Sequence, residues 1–458
     1  MSEMSEKNDQ RHRLISMAVM IFAAVGGVLY GYDLGVFAGA FLFLQKDIAM
    51  SVQQMSFLVG SVLFGGSFAI LISGPLADWL GRRYLIMISS AIFLVGVVII
   101  IMSHSFAGIL TGRVTQGIGV GIITIVVPLY LSESVPADLR GRGVCIFQLL
   151  LTAGILLAGL VDDLFVRSGS WRAMFAMSAI PGIVMLFGCI FLRESPRWLV
   201  MKNKDQLALA VLQKTRAPAE ATKELAAMQK LRSMKLGKHA RGHQESIWQK
   251  RFIVPFLIVL GVASLNQLIA VNSILQLGPM ILKGVGLVSD AAAIFGFTGI
   301  FAINFIVTLL VIGFVDKIER RVFYRIGTAG LALALIFCGC IAHANGLPGI
   351  ERGYLILAGL LAFMLFYAMG PGLLVWVILA ELLPLRIRSS GMAIALFANS
   401  MISAVWASLF LDAADRFGYD GVFWICGGFG VLYFLLVFLG LPKVKGKSLE
   451  MIETEFSK

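Results

Sequence analysis

Twelve long apolar runs divide this chain and constrain its fold more than any other feature. Most of them approach or exceed the roughly 20 residues that an α-helix needs to cross a bilayer. They lack the alternation of apolar and polar residues that barrel strands show, so we expect helices. The runs lie near 15–40, 54–76, 84–103, 106–131, 143–161, 171–192, 252–282, 291–315, 322–343, 354–381, 389–411 and 420–441.

The composition also indicates a membrane protein. Charged residues make up only 14% of the 458 positions, and hydrophobic residues make up 59%. A soluble protein would carry about 25% charged residues. The net charge of +12 could suggest nucleic acid, but the positive residues lie in short connections between apolar runs. We therefore expect a lipid bilayer as partner and no nucleic acid.

The chain shows no pattern typical of an enzyme or a metal protein. Its five cysteines all lie inside apolar runs and lack the spacing of disulfides or zinc sites. It has no phosphate-binding loop and no nucleophile–base spacing. We expect a monomeric protein that is not an enzyme and that needs no cofactor or metal.

Alternate connections between the runs are rich in lysine and arginine. Arg82 and Arg83 follow run two, and Arg386 and Arg388 follow run ten. Because positive residues are retained in the cytoplasm, these connections and both termini should face that side. No cleavable signal peptide precedes the first run, which predicts a multi-pass protein of the plasma (inner) membrane.

The longest connection, 193–251, divides the runs six and six. Between Lys202 and Arg251 it carries twelve Lys or Arg against four Asp or Glu, and stretches of it are amphipathic at helical spacing. We predict short surface helices there. The expected segments are a cytoplasmic tail at 1–14, a six-helix bundle at 15–192, this linker, a second bundle at 252–441 and a cytoplasmic tail at 442–458.

The two halves repeat a pattern of motifs. The segment after run two reads GPLADWLGRR (74–83), and the segment after run eight reads GFVDKIERR (313–321). Glu133 and Glu381 each precede an arginine by seven residues, with a proline between. The predicted fold class is an all-α membrane protein with twelve transmembrane helices in two six-helix repeats. A binding site between such repeats is one known transporter design.

Charged residues at the cytoplasmic ends of the runs form acid–base sets in both halves. A network of such pairs can bias a two-state equilibrium, although single exposed pairs contribute little. We predict a cytoplasmic gate that latches the outward-open form; the simpler interpretation is a topology signal. The gate residues are Asp78, Arg82, Arg83, Glu133, Arg140 and Glu194 in the first half and Asp316, Arg320, Arg321, Glu381 and Arg388 in the second.

Arg113 lies inside the fourth run, where a charge costs about 2.5–3.5 kcal/mol on insertion scales. Run one goes outward and run four returns, so Asp33 and Arg113 both lie roughly 10 Å below the outer surface. Equal depth permits an ion pair. Near Arg113 the Asp33 carboxylate is stabilised, and away from it the protonated acid is favoured. We therefore predict that Asp33 carries a proton; a static pair joining two helices is the alternative.

Motifs in a characteristic order make the chain similar to the sugar porter family of the major facilitator superfamily. They include GYDLGVFAG, GPLADWLGRR, GRVTQGIGVG, RESPRWL and GPGLLVWVILAELLPLRIR, and the matched segments span 31–450. With Asp33, the chain resembles bacterial proton-coupled monosaccharide symporters most closely. The chain departs from the family where Glu319 replaces the glycine of the second GRR, where Gln276 and Leu277 replace a tyrosine pair, and where Ser400 replaces a frequent tryptophan.

Amide side chains inside the runs predict a polar cavity, because an unpaired amide facing lipid costs a few kcal/mol. Amides can match the hydroxyls of a sugar, and an aromatic ring can pack on its C–H face. The resemblance implies sugar contacts at Gln148, Gln267, Asn272, Asn304, Trp376 and Asn399. Spacing on run seven adds Gln276, which shares roughly one helical face with Gln267 and Asn272.

We therefore expect a secondary active transporter that imports a monosaccharide, a hexose or a pentose, with a proton by alternating access. An uncoupled facilitative uniporter has the same expected site. A transporter-like sugar sensor is disfavoured by the short tail after Pro442, and a drug–proton antiporter fits the amide-rich site less well.

Overall fold

The computed structural model describes a helical protein. The described residues are 2–136, 140–239, 250–287, 289–314, 319–344, 346–383 and 388–441, and within these ranges every regular element is a helix. The predicted all-α class is confirmed.

The helices of the first half are α1 (Ser2–Asp47), α2 (Val52–Leu80), α3 (Arg82–Met102), α4 (Phe106–Ser134), α5 (Arg140–Phe165), α6 (Trp171–Met177) and α7 (Ala179–Gly188). The linker contains α8 (Pro196–Met201), α9 (Asp205–Thr215) and α10 (Pro218–His239). The second half contains α11 (Lys250–Leu268), α12 (Val271–Gly284), α13 (Asp290–Phe314), α14 (Arg320–His343), α15 (Gly349–Met369), α16 (Pro371–Leu382) and α17 (Arg388–Gly440).

Eleven helical segments of the described chain are long and apolar enough to cross a bilayer. The last of them, Gly391–Gly440, contains a break at Gly418, where φ is 73° and ψ is 163°. Glycine tolerates this positive φ because it has no Cβ. The segment therefore accounts for the last two of the twelve predicted runs.

The structure describes the predicted N-terminal tail but not the predicted C-terminal tail. A tail is predicted at 1–14, whereas α1 begins at Ser2. The polar segment is rich in Glu, Lys, Gln and Arg, which are good helix formers, so the helix continues beyond its apolar run. The predicted tail at 442–458 lies outside the described residues.

A stripe of glycines lets α1 pack closely on α5. A Cβ at Gly27, Gly31 or Gly35 would collide with backbone or Cβ atoms of α5. One turn further, a Cβ at Gly39 would lie 2.5 Å from a carboxylate oxygen of Asp162. Small residues at four-residue spacing permit such close approach of membrane helices.

The contacts between the halves follow the internal repeat. Helix α2 packs on the first part of α17, and α5 packs on α13. Run two corresponds to run eight, and run five corresponds to run eleven, when the halves are offset by six runs. The two contacts are therefore equivalent under exchange of the halves, as expected for two repeats around a central site.

One side of the bundle carries the linker helices α8–α10; we call it the linker side and the other end the opposite side. On the opposite side the halves touch. Lys46 Nζ at the end of α1 lies 2.5 Å from Asp290 Oδ2 at the start of α13. The backbone N–H of Leu411 donates to Ser56 Oγ at 3.2 Å. The structure thus has its opposite side closed.

Candidate functional site

A polar cavity of about 100 Å³ lies between the two halves. One water needs roughly 10–15 Å³ on this measure, so the cavity has room for a small polar molecule of several atoms. Helices α1, α2, α4 and α5 of the first half and α11, α12, α13, α15, α16 and α17 of the second contribute to its wall.

Five of the amides predicted to bind sugar line this cavity. They are Gln148, Gln267, Asn272, Asn304 and Asn399. Three of them form a chain: Gln267 Nε2 donates to Asn399 Oδ1 at 3.1 Å, and Asn272 Nδ2 donates to Gln267 Oε1 at 3.0 Å. Gln148 and Asn304 make no side-chain hydrogen bond with the described residues, so their amides remain available to a ligand.

A break in the seventh run brings two of these amides together. The run is divided into α11 and α12 at Ala270, whose φ of 62° and ψ of 26° place it in the left-handed region. This conformation costs a residue with a Cβ roughly 1–2 kcal/mol. Ala270 lies between Gln267 and Asn272 in the chain. Interrupted helices of this kind are typical of binding sites in transporters.

Gln276, the sugar contact that spacing predicts on run seven, lies beside the charge pair. Gln276 follows Asn272 by four residues on α12, but it is not among the described residues that line the cavity. Its Oε1 instead accepts from Arg113 Nη2 at 3.2 Å. Trp376 lies in α16, and its side chain is outside the described part of the structure.

Several cavity residues were not predicted as part of the site. Tyr30, Asn266, Tyr367, Ser400 and Ser403 all line it. Asn266 is an amide inside a span and faces the cavity, as the sequence predicts for such amides, although it is not one of the predicted sugar contacts. Ser400 Oγ accepts from Ser67 Oγ at 2.9 Å, so a hydroxyl contact between α17 and α2 occupies the position of the expected tryptophan.

Asp33 and Arg113 form the ion pair that the depth of the two residues predicts. Arg113 Nη1 lies 3.0 Å from Asp33 Oδ1, and both side chains have 0% exposure. Asp33 Oδ2 has no hydrogen-bond partner among the described residues, and Asp33 also lines the cavity. The carboxylate therefore joins the charge pair to the polar cavity.

The Arg113 guanidinium lies between aromatic rings and two amides. Its Cζ is 4.6 Å from the ring centre of Phe37 and 5.9 Å from that of Phe175. Nη1 also donates to Gln116 Oε1 at 3.4 Å. Aromatic faces attract a cation by about 0.5–2 kcal/mol, which helps to compensate the loss of water.

Arg82 and Glu133 of the predicted gate form a buried pair in the first half. Arg82 donates to Glu133 through Nε at 2.8 Å and Nη2 at 3.0 Å, and Ser195 Oγ donates to the same carboxylate at 2.6 Å. The side chains of Arg82 and Glu133 are 7% and 3% exposed. Asp78 also pairs with Arg82 at 3.0 Å, but its side chain is 77% exposed.

Glu194 and Arg83 bind backbone rather than each other's side chains. The Glu194 carboxylate accepts from the backbone N–H groups of Arg82, Arg83 and Ser195. Arg83 Nε donates to the carbonyl of Cys189 at 2.9 Å. Burial raises the pKa of Glu194 above its ordinary value, and these hydrogen bonds offset only part of the shift.

The second half of the predicted gate lies largely outside the described side chains. This holds for Asp316, Arg320, Glu381 and Arg388, and for Arg140 in the first half. Arg321 Nη2 donates to the carbonyl of Phe438 at 3.3 Å, a contact with backbone rather than with an acid.

Known proteins match this chain over nearly its full length. A family model described as "Sugar (and other) transporter" matches residues 19–456. The glucose transporter GlcP of Staphylococcus epidermidis is 34% identical over 437 residues, which cover 95% of this chain and 96% of that protein. The galactose-proton symporter of Escherichia coli is 30% identical over 455 residues, covering 99% and 97%.

Solved structures agree with the sequence matches. The xylose transporter XylE from E. coli in an inward-open conformation has a TM-score of 0.80 and 26% identity, covering 96% of this chain and 99% of that one. The proton:xylose symporter XylE bound to 6-bromo-6-deoxy-D-glucose has a TM-score of 0.78 and 25% identity, with the same coverage of both chains. These matches are consistent with the twelve-helix fold expected from the twelve runs. The chain therefore belongs to the sugar porter family of the major facilitator superfamily.

Proposed function

We propose that the protein imports a monosaccharide, a hexose or a pentose, together with a proton by alternating access. The observation that carries this proposal is the position of Asp33, which pairs with Arg113 and lines the amide-rich cavity. A sugar in that cavity lies beside the group that would carry the proton. Relatives named as galactose-proton and arabinose-proton symporters support the same activity.

The cavity amides are the proposed sugar contacts. A sugar hydroxyl both donates and accepts hydrogen bonds, and an amide offers both functions in one side chain. Gln148 and Asn304 reach the cavity from opposite halves and have no protein partner in the described structure. Gln267, Asn272 and Asn399 form a connected network that a sugar can extend or rearrange. We propose Trp376 as the aromatic contact.

The proton cycle follows from the two partners of Arg113. With the opposite side closed, Gln276 on α12 holds Arg113 against Asp33, and the cation favours the ionised carboxylate. Opening of the opposite side moves the halves apart, so Arg113 loses the Gln276 contact and can leave Asp33. A buried carboxylate without its cation takes up a proton. Closure then restores the pair and releases the proton.

We propose that the linker side faces the cytoplasm, because the positively charged connections lie on that side. The opposite side then faces the external medium. In this orientation Arg82, Glu133 and their neighbours form half of a cytoplasmic gate, and the remaining charged residues of both halves complete it. We expect the protein to act as a monomer in the inner membrane, without nucleic acid.

Uptake into proteoliposomes tests the proposal. Glucose, galactose, xylose and arabinose are supplied outside, with and without an inward proton gradient. We expect at least one sugar to accumulate above its external concentration only when the gradient is present, and a protonophore to abolish this accumulation. Equal uptake with and without the gradient contradicts coupling and indicates a uniporter. If none of the four sugars binds or is taken up, the proposed substrate class is contradicted.

A further inference from the structure

A second carboxyl group is buried in the first half, on α5 against α1. Asp162 is 1% exposed. Its Oδ2 accepts from the backbone N–H of Gly39 at 3.0 Å, and its Oδ1 has no hydrogen-bond partner among the described residues. Because Gly39 has no Cβ, the carboxyl group rests directly on the backbone of α1.

Among the described residues, no cation lies within ion-pair distance of this carboxyl group. The ionisable groups beside it are Tyr32 on α1 and Asp163 on α5 itself, and neither carries a positive charge. The other helices packed on α5 are α4, α6 and α13. Their described residues place no lysine, arginine or histidine within ion-pair distance of Asp162. Asp33 is buried to the same degree but has Arg113 at 3.0 Å.

The lack of a cation decides the charge state in the closed form. An isolated carboxylate in a low-dielectric site is so costly that the group takes up a proton instead. The proton source is water, and the new O–H bond forms at the unpartnered Oδ1. Asp162 is therefore a neutral acid when the opposite side is closed.

Its position places it between Asp33 and the opposite side. Gly39 follows Asp33 by six residues on α1, so Asp162 lies roughly 9 Å nearer that side. Helix α5 packs on α13 of the other half in this region, and a Cβ at Gly159 would lie only 3.0 Å from Thr298 Oγ1. The α5–α13 contact must change when the halves move, which gives external water a route to this region.

We infer that Asp162 is a second proton-binding carboxyl group, which must be neutral for the external side to close and which exchanges its proton with external water when that side opens. This inference rests on the proposed function. Asp162 would then be a proton site in addition to Asp33. Whether Asp162 holds a proton would depend on the external pH, and this proton need not be released to the cytoplasm.

Two measurements test this site. The first is sugar exchange by counterflow at fixed internal pH and varied external pH, for the wild type, Asp162→Asn and the control Asp163→Asn. Asparagine matches the neutral acid in shape, so Asp162→Asn should equal the wild type at acidic external pH and be several-fold faster at alkaline external pH. Asp163→Asn should keep the wild-type profile. Superimposed profiles for Asp162→Asn and the wild type, or the same change in Asp163→Asn, overturn the inference.

The second measurement does not depend on transport. Infrared spectroscopy of the reconstituted protein at neutral pH should show a carbonyl stretch of a protonated carboxyl group, which is lost in Asp162→Asn and kept in Asp163→Asn. Absence of a band that depends on Asp162 overturns the inference. If the Asp162-dependent band is present but the wild type shows no gradient-driven uptake of sugar, the proposed symport is contradicted and the proton site is still supported.

Discussion

Arg113 Nη2 lies 3.2 Å from Gln276 Oε1, and this hydrogen bond joins a buried charge of the first half to α12 of the second. Nη1 of the same guanidinium contacts Gln116 Oε1 at 3.4 Å, and Gln116 belongs to α4, the helix that carries Arg113. Arg113 therefore holds one amide from each half, and of these two contacts only the one with Gln276 joins the halves.

The two amides give a matched pair of variants. We expect Gln276→Leu to weaken gradient-driven accumulation of sugar while sugar exchange continues, because the closed form no longer fixes Arg113 against Asp33. A hydrogen bond to a charged group contributes about 1.5–3 kcal/mol, which corresponds to a change of about tenfold or more in the equilibrium between the two forms. Gln116→Leu, which removes an amide of the same half, should leave the coupling ratio close to that of the wild type. Equal loss of coupling in both variants contradicts the role of Gln276.

The buried gate pair should matter more than the exposed one. Glu133→Gln leaves Arg82 without its buried counter-charge, and loss of one partner of a buried pair costs roughly 3–5 kcal/mol. We expect cysteine probes on the linker side to react several-fold faster in this variant. Asp78→Asn is the control, because Asp78 also pairs with Arg82 but is 77% exposed. Unchanged probe reactivity in Glu133→Gln argues against a gate at this position.

The free amide of Asn304 should contribute to sugar affinity. A hydrogen bond to a neutral partner contributes about 0.5–1.5 kcal/mol, so Asn304→Ala should raise the KM for sugar roughly two- to tenfold. Thr308→Ala is the control, since Thr308 lies one turn further along α13 and is not among the described residues of the cavity wall. Initial rates of uptake over a range of sugar concentrations provide the comparison. An unaltered KM in Asn304→Ala would place the sugar elsewhere.

The raised pKa of Glu194 predicts a pH-dependent contribution to stability. Because burial raises this pKa, the folded state binds the proton more readily than the unfolded state does. Its contribution to the free energy of unfolding therefore increases as pH falls from the raised pKa toward the ordinary value of about 4.3. We expect the melting temperature of the wild type, relative to Glu194→Gln, to rise as pH falls through this interval. The exposed Glu220→Gln should show no such trend, and a relative decrease for the wild type contradicts the assigned direction.

The sequence predicts the features that depend on periodicity and on counting along a helix. Apolar runs identify the spans, and equal depth in two antiparallel runs identifies the Asp33–Arg113 pair. The observed break between α15 and α16 falls at Gly370 and Pro371, because proline cannot continue the hydrogen bonding of the preceding turn.

Other features depend on tertiary contacts that no local pattern records. Ala270 has high helix propensity, so its left-handed conformation is imposed by the surrounding packing. That break separates α11, which carries Gln267, from α12, which carries Asn272 and Gln276. Asp162 and Asp163 lie next to each other near the end of an apolar run, a pattern typical of a helix end in water. The structure instead buries Asp162 against the backbone of α1 at Gly39.

Proton flux through the wild type and Asp33→Asn tests the central claim most directly. Each protein is reconstituted with a pH-sensitive dye inside the vesicles, and a transported sugar is added outside without an imposed pH gradient. The account predicts that sugar addition acidifies the interior of wild-type vesicles, and that Asp33→Asn vesicles exchange labelled sugar without any acidification. Acidification of the same size in Asp33→Asn vesicles would contradict the account, because the proton would then be carried by another group.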